Sequence, residues 1–147
     1  MKVRDPQRLV LAAYPVTRTL TTRVGDLDGY GHLNAMRIGT YYEDARAAFY
    51  GVAFKDVRRQ RMLVAQVTLH YLGEGFWPGS MEIGTGISKI GNASVEMAQG
   101  LFFEGRCIGL CETVLVNAPE GRSAPFADDA RACLARFALV PDPSVPG

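Results

Sequence analysis

Residues 24–46 read VGDLDGYGHLNAMRIGTYYEDAR, and their reading decides the fold. From Ala35 onward, Ile38, Tyr41, Tyr42, Ala45, Ala48 and Phe49 recur at three- and four-residue steps, which places them on one face of a helix. Gly51 offers a stop for that helix. Gly39 lies inside it, and glycine there costs about 1 kcal/mol relative to alanine, so close packing is expected on that flank. Directly ahead of the helix stand Asp26, Asp28, His32 and Asn34. A helix start leaves backbone N–H groups unpaired, and a single capping residue meets that need. Asn34 fits the cap. Three more polar side chains at the same junction exceed what a cap requires.

Around this stretch the pattern is β. Tyr14–Val24 is rich in β-branched residues and reads as a strand. Four more strands are expected at 62–72, 80–90, 93–104 and 106–117, separated by glycine-containing turns. In the first of these four, Leu63, Ala65, Val67, Leu69 and Tyr71 alternate onto one face, with Gln66, Thr68 and His70 on the other. The strand glycines fit bulges or strong curvature better than a flat sheet. SAPFADDARACLARF (123–137) reads as a short helix capped by Ser123, with Pro125 in its first turn and Phe126, Ala130, Leu134 and Phe137 as its apolar stripe. The expected class is therefore α+β, a curved antiparallel sheet wrapped around one long central helix. Residues 1–13 read as an N-terminal extension, 14–138 as one domain, and the proline-containing 139–147 as a disordered tail.

Composition narrows the function. A chain of 147 residues with 48% hydrophobic and 21% charged residues is one globular domain. A net charge of +1 gives no basic excess for nucleic acid or a membrane surface. No apolar run approaches the roughly 20 residues that span a bilayer, and Leu9–Ala13 is too short for a signal peptide. Cys107, Cys111 and Cys133, an odd set without CxxC spacing, read as reduced thiols of a cytoplasmic protein. Cys107 and Cys111, four apart, are expected as apolar fillers of one strand face. The two histidines, His32 and His70, have no ligand spacing, so no metal site is expected.

The string D-x-D, then G-H-x-N, then a helix carrying YYEDAR resembles the 4-hydroxybenzoyl-CoA thioesterase-like branch of the hotdog-fold acyl-thioesterases, and is also similar to acyl-carrier-protein thioesterases. VAQVTLHYLGEGFWPGSMEIGTGISKIGNASVEMAQGLFFEGR looks like that branch's later strands, and GRSAPF like the segment before its last helix; the resemblance covers roughly 14–138. It implies a hotdog fold, a homodimer or homotetramer with sheets joined edge to edge, active sites at the subunit boundary, and an acyl-CoA or acyl-carrier-protein substrate, with no metal and no cofactor.

Residue by residue, the resemblance aligns Asp28 with the family's catalytic carboxylate. An aspartate can attack a thioester carbonyl or activate water, and both roles stay open. Ala35 aligns with the residue whose backbone amide polarises the carbonyl; a preorganised donor of this kind is worth about 3 kcal/mol in the transition state. His32 aligns with a histidine of the catalytic network in some relatives, or serves as a loop residue bonded to backbone. Asn34, besides capping the helix, is a catalytic candidate that would order water or the substrate carbonyl. Asp26 is expected to hold the loop through backbone N–H bonds, although two close carboxylates could also raise one pKa. Glu43 and Arg46 have the spacing of an ion pair, and Glu43 or Asp44 is a fallback carboxylate because another branch of the fold uses a helical Glu. For the CoA phosphates the candidates are Lys89 and the cations of KDVRRQR, Arg58 and Arg59 foremost. The sequence departs from the family in having Ala35 for a second Asn and Tyr30 for the Asn of plant relatives, which favours a mechanism centred on Asp28. A non-catalytic thioester-binding protein is the alternative.

Overall fold

The helix demanded by residues 24–46 is present as α1, Ala35–Ala53, in the computed structural model, which describes residues 5–57 and 60–145. It passes through Gly51 without stopping. Gly39 faces only Leu69, whose Cδ1 would lie 3.8 Å from an added Cβ, so the expected close packing on that flank is not found. The strands are β1 (Val16–Thr21), β2 (Met62–Tyr71), β3 (Ser80–Ile90), β4 (Ser94–Phe103) and β5 (Arg106–Asn117), in one antiparallel sheet of order β1-β3-β4-β5-β2. The sheet curls around α1 in the expected hotdog arrangement.

Curvature comes from three register shifts, between Val64 and Gln66, Ile87 and Lys89, and Leu101 and Phe102. None is at a glycine. The first breaks the alternation expected in β2: Leu63 and Val67 oppose Val116 and Thr113, which lie on opposite faces of β5. The third separates the two β5 cysteines, so that Cys111 packs under α1 while Cys107 joins the other face. Burial raises the pKa of both thiols.

Three apolar clusters hold these layers. Ile38, Tyr41, Tyr42 and Ala45 of α1 pack on Met81, Ile83, Leu101 and Cys111. Farther along α1, Phe49 and Ala53 meet Ile87, Met97 and Leu115, and this end is closed by α2, Asp128–Ala135, through Ala130, Cys133 and Leu134. α2 starts later than expected. Ser123 and Pro125 belong to an extended stretch in which Asn117 Nδ2 donates to the Ala124 and Pro125 carbonyls and Phe126 N to that of Asn92, leaving Ala127 as N-cap.

The third cluster covers the outer sheet face. Gly84 and Gly100 are cross-strand partners, and the Tyr14 ring lies so close that a Cβ on Gly84 would come within 2.5 Å of its Cγ. These glycines are a seat for an aromatic ring rather than bulges. Tyr14 arrives at the end of the N-terminal segment, which forms 3₁₀ turns at Pro6–Leu9 and Leu11–Ala13 and is fastened by Arg8. The Arg8 guanidinium, 11% exposed, donates to Tyr14 Oη at 3.1 Å and pairs with Glu112 at 3.0 Å. Residues 139–145, whose composition pointed to disorder, are tied to the same segment: Val140 N donates to Ala13 O, Asp142 N to Gln7 Oε1 at 2.7 Å, and Gln7 Nε2 to the carbonyls of Asp142 and Val145. Backbone bonds from Leu139 and Val140, the Gln7 side-chain bonds, and packing of Leu139 on the third cluster supply this order.

Two glycine substitutions test this packing in opposite directions. Gly39→Ala should raise stability by about 1 kcal/mol, because helix propensity improves and the methyl has room. Gly84→Ala should lower it by about 1–3 kcal/mol by lifting Tyr14 off the sheet. Urea unfolding midpoints decide both, and a reversal of either sign contradicts the packing described.

Candidate active site

The loop between β1 and α1 folds back on itself. Leu27 and Leu33 form an isolated antiparallel bridge, Asp28 N donates to His32 O at 2.8 Å, and Gly31, with φ of 82°, turns the chain between them. At the base of this small hairpin, Asn34 N donates to Asp26 O at 2.8 Å. The residues that flank the hairpin are thereby locked together, and Asp28 is brought across from His32 near the helix start.

Asn34 is the N-cap expected: its Oδ1 accepts from Met36 N at 2.9 Å. The Ala35 N–H finds no acceptor among the described residues, and Ala35 is exposed. It therefore offers a free donor at the positive end of the helix dipole. Tyr71 of β2 donates its hydroxyl to Ala35 O at 3.1 Å, which ties the sheet edge to this first turn.

Asp28 Oδ1 accepts from Tyr30 N at 2.8 Å and His32 N at 3.1 Å, leaving Oδ2 without a partner among the described residues. The two amides, His32 foremost, hold the carboxyl below its ordinary pKa, so at neutral pH it is ionised with one oxygen available. His32 is anchored from outside the hairpin. Its Nδ1 lies 3.3 Å from Glu74 Oε1, its ring meets Phe76 edge-on at 5.1 Å, and the neighbouring Leu33 N donates to Gly75 O. The β2–β3 connection thus forms the loop's outer wall.

Asp26 differs from expectation. Among the described residues its carboxylate holds no backbone amide; it accepts a short hydrogen bond from the Tyr41 hydroxyl and bonds from Arg23 Nε at 3.0 Å and Nη2 at 3.3 Å. At 3% exposed it is out of reach of substrate. Burial alone pushes its carboxyl up, but the Tyr41 and Arg23 bonds and the Arg23 and Arg37 charges outweigh this and hold it below the ordinary value. Neither aspartate of the D-x-D pair is raised by the other. Tyr41, burdened by burial and by the adjacent carboxylate, is shifted up and keeps its proton. Arg23 and Tyr41 also form part of the wall of a cleft of about 420 Å³ between β1 and α1.

Other expected residues are not gathered here. Lys89 pairs with Glu96 at 3.7 Å, about 30 Å along β3 from the end that meets the loop. Arg58 and Arg59 lie outside the described residues. Arg46 points to Thr113 Oγ1 at 3.4 Å rather than to Glu43, and Asp44 pairs with Arg18 at 2.6 Å. Tyr41, Arg23, Glu74 and Tyr71 are the site neighbours that sequence reading missed. Only the Arg23–Asp26 spacing hinted at a local ion pair. Among the described residues no group of three or more His, Cys, Asp or Glu is placed to hold a metal ion, and no helix is long and apolar enough to cross a membrane.

With this geometry in view, residues 22–134 match the family model of the thioesterase-like superfamily, and the chain belongs to that family. A predicted thioesterase from Bacillus stearothermophilus is similar at 27% identity and a TM-score of 0.77, over 86% of this chain and 98% of that one. A thioesterase from Thermus thermophilus, solved in complex with coenzyme A and Zn, is similar at 25% identity and a TM-score of 0.78, over 84% and 94%. The Staphylococcus aureus protein SAV2348, solved in complex with CoA, shares the fold at 15% identity and a TM-score of 0.77, over 88% of each chain. A search of curated proteins found no match.

The loop aspartates make stability depend on pH with a definite sign. A carboxyl held low in the folded state stabilises fully above its unfolded value, about 3.9, and loses that contribution as pH falls through the lower folded value. Between neutral pH and about pH 3, the wild type should therefore lose more stability than Asp28→Asn. Equal losses in denaturant titrations would show that the two amides do not hold the charge.

Proposed function

We propose that the protein hydrolyses acyl-CoA thioesters, with Asp28 as the reacting carboxylate and the Ala35 N–H as the donor that polarises the carbonyl. The observation that carries this reading is the pairing, within one clamped loop, of an ionised carboxylate with a free oxygen and an unpaired amide at a helix start. Charge develops on the carbonyl oxygen as the tetrahedral intermediate forms, and a preoriented N–H at a helix N-terminus stabilises it without reorganisation. Asp28 either attacks the carbonyl carbon, expelling CoA thiolate and leaving an acyl–aspartyl anhydride for water to open, or takes a proton from the water that attacks. Both routes end in free acid and CoA, and both use the same two groups. Family membership supports the reaction class, and the roles of Asp28 and Ala35 follow the resemblance of the D-x-D and G-H-x-N string to the 4-hydroxybenzoyl-CoA thioesterase-like branch.

The same reading makes the chain a homodimer paired along β2. That strand is a ten-residue sheet edge, MLVAQVTLHY, without Lys, Arg, Asp, Glu or Pro to discourage pairing, and Val64, at 51%, is among its exposed apolar side chains. Because Tyr71 joins this edge to Ala35, a second copy paired there would border the reactive loop. Lys89 would then serve phosphates of a CoA held by the other copy rather than by its own loop.

Release of free thiol from a panel of aliphatic and aromatic acyl-CoAs tests the reading. Asp28→Asn should slow hydrolysis by about 10²–10⁴-fold. Unchanged activity in Asp28→Asn would remove Asp28 from the chemistry, and tight binding of acyl-CoA without turnover by wild type would assign a binding role. Light scattering should give the mass of a dimer or a multiple of it, and a monomer would contradict pairing along β2.

A further inference from the structure

We infer that Asp26 and Tyr41, with Arg23, form a positioning device that fixes the reactive loop against the helix it serves. The inference rests on the roles proposed for Asp28 and Ala35, and it assigns work to residues outside the reacting pair.

The loop has to hold a carboxylate at a set distance and angle from the first amide of α1. Backbone bonds fix the hairpin internally, Glu74, Gly75 and Phe76 hold its outer side, Leu33 packs into the core, and Asn34 joins it to the first turn of the helix. Tyr41 adds a bond between the loop and a later turn of the same helix. Tyr41 lies six residues into α1, about 9 Å along the axis from Ala35. Its hydroxyl donates to Asp26, whose own carbonyl accepts from Asn34 N. One residue, two positions before Asp28, therefore grips the helix at its start through backbone and farther along through its side chain. Loop and helix make a braced triangle.

The chemistry of the grip explains its residue types. A buried carboxylate without partners is costly, and removing one partner from a buried charge is more damaging than never having built the pair. Tyr41 is buried and protonated, so it contributes a donor without adding charge; Arg23, 71% exposed in its side chain, supplies the countercharge from the cleft side. A neutralised Asp26 also spares the helix start a bare negative charge beside the site where an oxyanion would develop. Displacement of a reacting group by about 1 Å can cost 10²-fold in rate, so a brace at this place acts on kcat rather than on substrate binding.

The test compares wild type, Tyr41→Phe, Arg23→Gln and Asp28→Asn as full chains. Tyr41→Phe should lower kcat by about 10–100-fold with KM within about threefold. Amide hydrogen exchange at Tyr30, His32 and Asn34 should become at least about tenfold faster, while exchange in β3, β4 and β5 stays at wild-type rates. Arg23→Gln, which removes the countercharge from Asp26 but keeps a hydrogen-bond donor, should show the same pattern, with its urea unfolding midpoint confirming that the chain is folded under the assay conditions. Loop exchange and kcat unchanged in both variants, with Asp28→Asn inactive, would overturn the brace while sparing the proposed chemistry. Full activity in Asp28→Asn would overturn the reading on which both rest. A uniform rise of exchange across sheet and loop would mean a merely structural role and would also overturn the brace.

Discussion

A negative charge 3% exposed to solvent has to be matched, and at Asp26 the match is made by a tyrosine of the central helix and an arginine of the incoming chain. Around that constraint the rest of the loop is determined. Asp26 receives Asn34 N at its carbonyl, Leu27 meets Leu33, and Asp28 is turned so that Tyr30 and His32 donate to one of its oxygens and leave the other open. The β2–β3 connection holds the hairpin from outside through Gly75, Glu74 and Phe76. The buried charge ties it to the helix as well.

The sheet supports this arrangement from both faces. Inside, apolar side chains of β3, β4 and β5 press on α1 and set the height of its first turn, with Tyr71 reaching across to Ala35. Outside, the Gly84–Gly100 pair admits Tyr14, and Arg8 crosses to Glu112, whose other oxygen lies 2.9 Å from His70 of β2. Glu112 thus links the N-terminal segment to the sheet edge. The two ends of the described chain meet on that same face through Gln7 and Asp142, so residues outside the folded core still brace it.

Much of this was legible in the sequence, and the failures have physical causes. Periodicity placed α1 to within a few residues, and turn signals bracketed β3 and β5 at their observed ends, because those elements are long and strongly patterned. Asn34 announced itself as a cap because capping is local. Bulges were not visible: inserting one residue in β5 sent Cys107 and Cys111 to opposite faces, and the shift near Ala65 did the same to Leu63 and Val67. The glycines of β3 and β4 were visible but misread, since nothing local says that Tyr14 sits on them. Tyr41 was assigned to the apolar face, correctly, yet its hydroxyl does the more specific work through a contact fifteen residues distant in sequence. Asp28 and Ala35 stand out in the sequence through family resemblance, which carries more than their residue types alone could.

The central claim is spatial: one open carboxylate oxygen and one free helix amide serve a single carbonyl. A crystal structure with a non-hydrolysable thioether analogue, a CoA carrying its carbonyl one methylene beyond the sulfur, examines that directly. The account requires the analogue's carbonyl oxygen at about 2.7–3.1 Å from Ala35 N, with Asp28 on the adjoining side of the carbonyl carbon. An analogue bound with its carbonyl away from the start of α1, or with Asp28 turned from it, would contradict the account.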